Sequence, residues 1–181
     1  MMLVQPTDLP EVLIIKPRVF EDSRGFFLET WNRETFAQQG IDVPFVQDNL
    51  SRSARGTVRG LHYQVRKPQG KLVRVLRGEI YDVAVDLRRS SRNFGKWVGV
   101  RLTESDHRSL YVPAGFAHGF CVMSETADVF YKCTELYSPG DERSVLWNDP
   151  DLNISWPLTV PPVLSDKDLK APRLIDTEGY A

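Results

Sequence analysis

Residues 79–87 read EIYDVAVDL. In an extended chain Tyr81, Val83, Val85 and Leu87 project to one side, and Asp82 and Asp86 to the other, the period of two that marks a β-strand. Outward from this stretch, KWVGVRL (96–102), FCVM (120–123) and ADVFYKC (127–133) repeat the alternation. They are rich in Val, Phe, Tyr and Trp, side chains that suit a pleated, half-buried surface. The runs are short, and clusters such as RSSRNFG (89–95) and YSPGDE (137–142) turn the chain between them. Only NRETFAQQG (32–40) carries helix signals, with Asn32 as an N-cap and Gly40 as a stop. About ten strands with little helix predict an all-β fold, an antiparallel sandwich or barrel of which the jelly roll is one form. The tail from residue 157, within WPLTVPPVLSDKDLKAPRL (156–174), is punctuated by proline and is expected to wrap the surface without regular structure. With neither repeat nor linker in view, residues 1–181 are read as one domain.

Composition narrows the function. A chain of 181 residues can bury roughly 70% of its unfolded surface, enough for a sizeable core. Its 23 basic and 24 acidic side chains leave a net charge of −1, which argues against a nucleic-acid partner held by its phosphates. The basic runs RKPQGK and LRRSSR read as solvated loops. Two cysteines, Cys121 and Cys133, sit inside apolar alternating segments and read as small core residues of a reduced protein. MMLVQPTDLP lacks the basic-then-apolar order of a signal peptide, and no apolar run is long enough for a membrane span. A soluble, cytoplasmic protein is expected.

Chemistry has few places to be, because the chain holds three histidines. His107 lies in the polar loop TESDHRS and reads as solvated; His62 lies in the strand-like TVRGLHYQ; His118 follows a Pro-Gly turn in VPAGFAHGF. A transition-metal site usually needs three or four His, Cys or carboxylate ligands. Metal-binding cupin barrels supply His-x-His on one strand and a Glu soon after, but here Gln64 takes the second position and VRKPQ follows it. No metal is expected. Around His62, RGLHYQVRKPQGKL brings Arg59, Gln64 and Lys71 into one stretch. Arg24, Glu29, Gln47, Asn49 and Tyr131 also lie on segments that read as strands. Polar side chains at inward strand positions cost free energy unless paired, so several of them together predict a wet, functional cavity. In an ideal strand Arg59 and His62 would face opposite sides, so both can reach one ligand only through an irregularity such as a bulge at Gly60.

Six ordered blocks go further: RVFEDSRGFFLETWN, FVQDNLSRSARGTVRGLHYQ, QGKLVRVLRGEIYDVAVDLRRSS, YVPAGFAHGF, YKCTELYSPGDER and WNDPDLNISWPL. They lie in order between residues 18 and 158, with an echo in LSDKD (164–168). The chain resembles the dTDP-4-dehydrorhamnose 3,5-epimerase family of the cupin superfamily. That resemblance implies a cupin-type jelly-roll barrel, a strand-exchanged homodimer, no cofactor, and dTDP-4-dehydro-6-deoxy-D-glucose as substrate. It implies a role in dTDP-L-rhamnose biosynthesis, toward lipopolysaccharide or cell-wall polysaccharide.

The same resemblance implies roles for single residues. His62 is the base, and Asp168 orients it. Tyr131 is the proton donor, and Lys71 faces the developing enolate oxygen. His118 binds the sugar near its reactive end. Arg24 and Arg59 face the diphosphate. Glu29, Gln47, Asp48 and Asn49 match nucleotide-binding positions, Tyr137 stacks on thymine, and Glu142 and Lys167 complete the binding set. The alternatives are a single-carbon epimerase or 3,4-ketoisomerase on the same class of substrate, or a silent cupin that only binds nucleotide sugars. The presence of both His62 and Tyr131, with Lys71, favours the epimerase.

Overall fold

Both sides of the stretch 79–87 are covered. The computed structural model describes residues 2–181. Its strands are β1 (Leu3–Pro6), β2 (Leu13–Lys16), β3 (Val19–Asp22), β4 (Gly25–Leu28), β5 (Gln47–Ala54), β6 (Val58–Gln64) and β7 (Lys71–Arg77). There follow β8 (Glu79–Asp86), β9 (Trp97–Thr103), β10 (Ser109–Val112), β11 (Phe116–Val122), β12 (Thr126–Cys133) and β13 (Glu142–Ser144). Helix α1 (Arg33–Ala37) precedes β5, and α2 (Asp166–Leu169) lies in the tail. Two antiparallel sheets face each other, β1-β2-β10-β7-β12-β5 and β13-β6-β11-β8-β9, with the β3–β4 hairpin apart. This is the predicted all-β jelly roll. The count of thirteen strands among the described residues exceeds the expected ten because β1–β4, β10 and β13 have only three or four residues, too few to show a period.

The packing explains why both faces of β8 are buried. On its inner side Ile80 and Ala84 meet Val73 and Val75 of β7, Val129 of β12, and Phe116 and Phe120 of β11. Its outer residues Val83 and Val85 lie with Leu61 and Tyr63 of β6 under Leu152, Trp156, Leu174 and Tyr180 from the C-terminal segment. The other sheet is covered by α1 and the residues just after it, where Phe36 and Ile41 pack on Ile15, Leu72 and Tyr111. Each large side chain so buried contributes roughly 1.5–3 kcal/mol relative to exposure. Helix α1 starts as expected: Asn32 Oδ1 accepts from the backbone N–H of Glu34 (3.0 Å) and of Thr35 (3.2 Å). His107 departs from its solvated reading, with its ring centroid 4.5 Å from that of Phe26.

The tail corrects an expectation. It wraps the five-stranded sheet, but it also forms α2 and a 3-10 turn at Leu174–Asp176. Single bridges, Thr57 with Val163 and Arg88 with Tyr180, fasten it to the barrel. Between its prolines, Ser165-Asp-Lys-Asp is an N-cap followed by acidic residues, the composition that starts a helix. The Ser165 hydroxyl accepts from the Asp168 N–H at 3.2 Å.

Candidate active site

The space between the sheets is apolar over part of its length and polar over the rest. Along edge strand β5, Gln47, Asn49, Ser51 and Ser53 alternate with the more exposed Asp48, Leu50, Arg52 and Ala54. A row of polar residues on the inner face cannot seal a core. The result is a cavity of about 430 Å³ lined by Gln47 and Asn49 of β5, His62 and Gln64 of β6, and Lys71 of β7. Tyr131 and Cys133 of β12, Tyr137, Glu142 and Lys167 complete it. A second cavity, about 540 Å³, adjoins it through His62 and Lys167 and includes Ser53, Arg59 and Asp168.

The irregularity at Gly60 lets one strand serve both cavities. Against β11, His62 pairs with His118 but Arg59 pairs with Phe120, so β6 carries one extra residue there. Gly60 has φ +109°, and the Gly60–Leu61 peptide is cis. A bulge of one residue inverts the facing of what precedes it, so Arg59 and His62 line the same cavity.

His62 Nε2 lies 2.6 Å from Asp168 Oδ1. Asp168 is only 3% exposed, and its other oxygen accepts from Ser165 Oγ at 2.8 Å. Burial pushes the Asp168 carboxyl up, but the hydrogen bonds and charges of His62, Ser165 and Lys167 outweigh it and hold it below the ordinary aspartate value. A carboxylate so fixed sets the tautomer of the imidazole and stabilises its charged form. The ring nitrogen turned away from Asp168 is then free to act as a base.

Lys71 is 7% exposed and reaches the first cavity. Burial pulls its ammonium below the ordinary lysine value, against the charges of Asp82 and Glu142. Burial likewise pushes the Tyr131 phenol up, so it holds a proton that it can give. Tyr131 stands on β12 of one sheet and His62 on β6 of the other. A planar or ring-shaped ligand between them meets a base on one side and an acid on the other.

At the open end, Tyr137 Oη donates to Glu142 Oε2 (2.9 Å), and Lys167 Nζ pairs with Glu142 Oε1 (2.6 Å). Burial raises Glu142, but these two partners prevail and keep it below the ordinary glutamate value. Gln47 accepts from the Tyr137 N–H at 2.8 Å and donates to Asn49 at 3.0 Å. Arg59 Nε donates to Ser53 Oγ at 3.0 Å. Gln64 binds the loop ahead of it, donating to Lys67 and Leu136 carbonyls and accepting from Ser138 N–H. Gln69 and Cys133 also line the cavity, and the sequence reading missed both. Their nearness to Lys71, in sequence for Gln69 and across the ladder for Cys133, was the available signal.

Four expected residues lie elsewhere. Alternation turns the Asp48 side chain away from those of Gln47 and Asn49 to the outer face, where it pairs with Lys132 at 2.7 Å. His118 is 6% exposed and belongs to neither cavity wall; its Nε2 is held by both oxygens of Asp82, at 2.8 and 3.0 Å. Arg24 and Glu29 are not brought to either cavity of their own chain. Arg24 pairs with Asp22 at the hairpin turn (2.6 Å), and Glu29 accepts from Asn32 at 3.0 Å. Among the described residues, no three His, Cys, Asp or Glu side chains gather as a metal-binding group.

Comparison with known proteins is consistent along the whole chain. The sequence profile of a family described as dTDP-4-dehydrorhamnose 3,5-epimerase matches residues 6–176. A protein of that name from Pseudomonas aeruginosa is 54% identical over 173 residues, 95% of this chain and 96% of the relative. The crystal structure of a dTDP-6-deoxy-D-glucose-3,5-epimerase from Legionella pneumophila, in complex with dTDP-4-keto-L-rhamnose, superposes with a TM-score of 0.96. It is 47% identical and covers 98% of this chain and 95% of its own. A 3'-monoepimerase from Streptomyces bikiniensis, solved with dTDP-quinovose, gives a TM-score of 0.89 at 36% identity, covering 94% and 87% of the two chains.

Proposed function

The chain belongs to the dTDP-4-dehydrorhamnose 3,5-epimerase family, and from that membership we propose that it inverts carbons 3 and 5 of dTDP-4-dehydro-6-deoxy-D-glucose to give dTDP-4-dehydro-L-rhamnose. The observation that carries the reading is the placement of His62, backed by Asp168, and Tyr131 on opposite sheets around one cavity.

The keto group at carbon 4 acidifies the C–H bonds of both neighbouring carbons. His62 takes the proton, and the electron pair of the broken C–H bond moves into an enolate whose negative charge falls on the ketone oxygen. Lys71 faces that oxygen from a buried position, where a charge acts through less water. The Tyr131 phenol returns a proton to the carbon from the opposite side, which inverts the centre. His62 then releases its proton to solvent, the Tyr131 phenolate takes one up, and the cycle repeats at the second carbon.

The remaining residues hold the nucleotide. Arg59 meets the diphosphate from the second cavity with a planar fork suited to paired oxygens. Gln47, Asn49, Glu142 and Lys167 bind around the open end, and the exposed Tyr137 ring stacks on thymine.

Arg24 and Glu29 fit this scheme in a homodimer with exchanged strands. Phe20, Phe26 and Phe27 of the β3–β4 hairpin are largely exposed, Phe27 at 71%. A second copy covering them would carry Arg24 and Glu29 to the neighbouring cavity. The working unit is then a dimer of single-domain chains. No helix among the described residues is long and apolar enough to cross a membrane, and a nucleotide-sugar substrate places the work in the cytoplasm.

The test is incubation with the 4-keto nucleotide sugar in deuterated water. Deuterium at both carbons supports the proposal. One label marks the single-carbon reaction that the monoepimerase neighbour brings into view, and binding without label marks a silent cupin.

A further inference from the structure

The alternation in EIYDVAVDL leaves one residue that the proposed chemistry does not use. Asp82 is 0% exposed, on the inner face of β8 between Ile80 and Ala84 of the intersheet core. A carboxylate there is expensive unless it is held. His118, on neighbouring β11, holds it by donating Nε2–H to both oxygens. Lys71 enters the same space from the facing sheet, on the side of β7 that carries Val73 and Val75.

Resting on the epimerase reading, we propose that Asp82 is a positioning residue: clamped by His118, it is the fixed counter-charge that keeps Lys71 an ammonium facing the substrate oxygen.

The other groups around Lys71 cannot do this. His62 of β6 is closed in its pair with Asp168 of α2. Glu142 of β13 is committed to Lys167 of α2 and to Tyr137. On β12, burial pushes both the Cys133 thiol and the Tyr131 phenol up, so neither carries negative charge near neutrality. His118 of β11 turns its Nε2 to Asp82. Asp82 remains as the carboxylate facing Lys71 with no cationic side chain of Lys or Arg paired to it, and its charge opposes the loss of the Lys71 proton. This also gives His118 a structural role. It holds Asp82 in one orientation.

The experiment combines Asp82→Asn, Lys71→Met and the double variant. In Asp82→Asn the negative charge is gone, so Lys71 loses its proton at lower pH. We expect kcat to fall at least about tenfold near pH 8 while KM stays within about threefold. Activity should return as the pH is lowered toward neutrality. A loss by the same factor at every pH, or an unchanged profile, overturns the proposal. Urea unfolding supplies a readout that needs no turnover. Lys71→Met strands Asp82 and lowers the midpoint, and adding Asp82→Asn restores it. Additive midpoint losses overturn the pairing. Should Asp82→Asn fail to fold alone, folding of the double variant supports the pairing, and failure of both overturns it. A wild-type chain that does not epimerise defeats the proposed function, while the unfolding cycle still decides the charge pairing.

Discussion

His62 and Tyr131 line one cavity from opposite sheets, on β6 and β12. A proton can therefore leave one side of a bound sugar ring and return on the other, which retention on a single face would not allow. Loss of either residue should break a different half of the cycle.

His62→Ala should lower kcat by about 10²–10⁴-fold, with dTDP affinity changed by a small factor, since the base acts in the transition state. Tyr131→Phe should keep exchanging substrate protons with solvent while losing inversion. Proton NMR of the sugar in deuterated water separates the two, and normal inversion by Tyr131→Phe would remove it as the acid.

Asp168→Asn should leave the cavity in place but let His62 adopt the wrong tautomer, with a loss of up to about 10⁴-fold in kcat. The same pair bears on stability. The folded pKa of Asp168 is depressed, so its contribution is present above the ordinary aspartate value near 3.8 and is lost as pH falls through the folded value. Urea midpoints of wild type and Asp168→Asn should differ at pH 7 and converge in strong acid. A gap that persists there would contradict the linkage.

Gly60→Ala should be destabilising by about 1–3 kcal/mol or more. A Cβ at this φ of +109° would stand 2.6 Å from the His118 carbonyl oxygen and 2.7 Å from the Gly119 Cα. Because Gly60 sets the facing of Arg59 and His62, nucleotide affinity should fall as well. Calorimetric melting and dTDP titration would show both effects, and a variant as stable as wild type would mean the bulge tolerates a side chain.

Arg24→Ala and His62→Ala should each be inactive, and mixing them should regenerate activity in heterodimers that keep one intact site. Sedimentation should give a dimer at working concentration. A chain that sediments as a monomer and turns over fully would rule out the shared site.

Treatment with a strong chelator should leave turnover unchanged, and elemental analysis should find no stoichiometric transition metal. The position next to His62 that would complete a ligand pair is Gln64, whose amide is spent on the 136–138 loop. A metal whose removal abolishes activity would refute this.

Much of the protein could be read locally. Side-chain alternation reports a strand wherever one face packs, so β8, β9 and β12 were legible from Tyr81, Trp97 and Val129 and their neighbours. The Asn32 cap was legible because it bonds within three residues. His62, Lys71 and Tyr131 could be named because six blocks in order match a family. The glycine irregularity between Arg59 and His62 followed from their conflicting parity.

Tertiary structure decided what those residues face. Period two says which side chains share a side, and not whether that side meets solvent, core or cavity. Asp48 and Asn49 differ by one position and end on opposite faces, one with Lys132 and one in the cavity. Asp168 reaches His62 across 106 residues of chain, from a short helix in a tail that reads as irregular. His118 is turned toward Asp82, 36 residues away, by the pairing of β11 with β8. Pairings over such distances arise when two sheets close on each other. Burial then favours a partner for each polar group, and the partner is chosen by the packing rather than by its place in the chain.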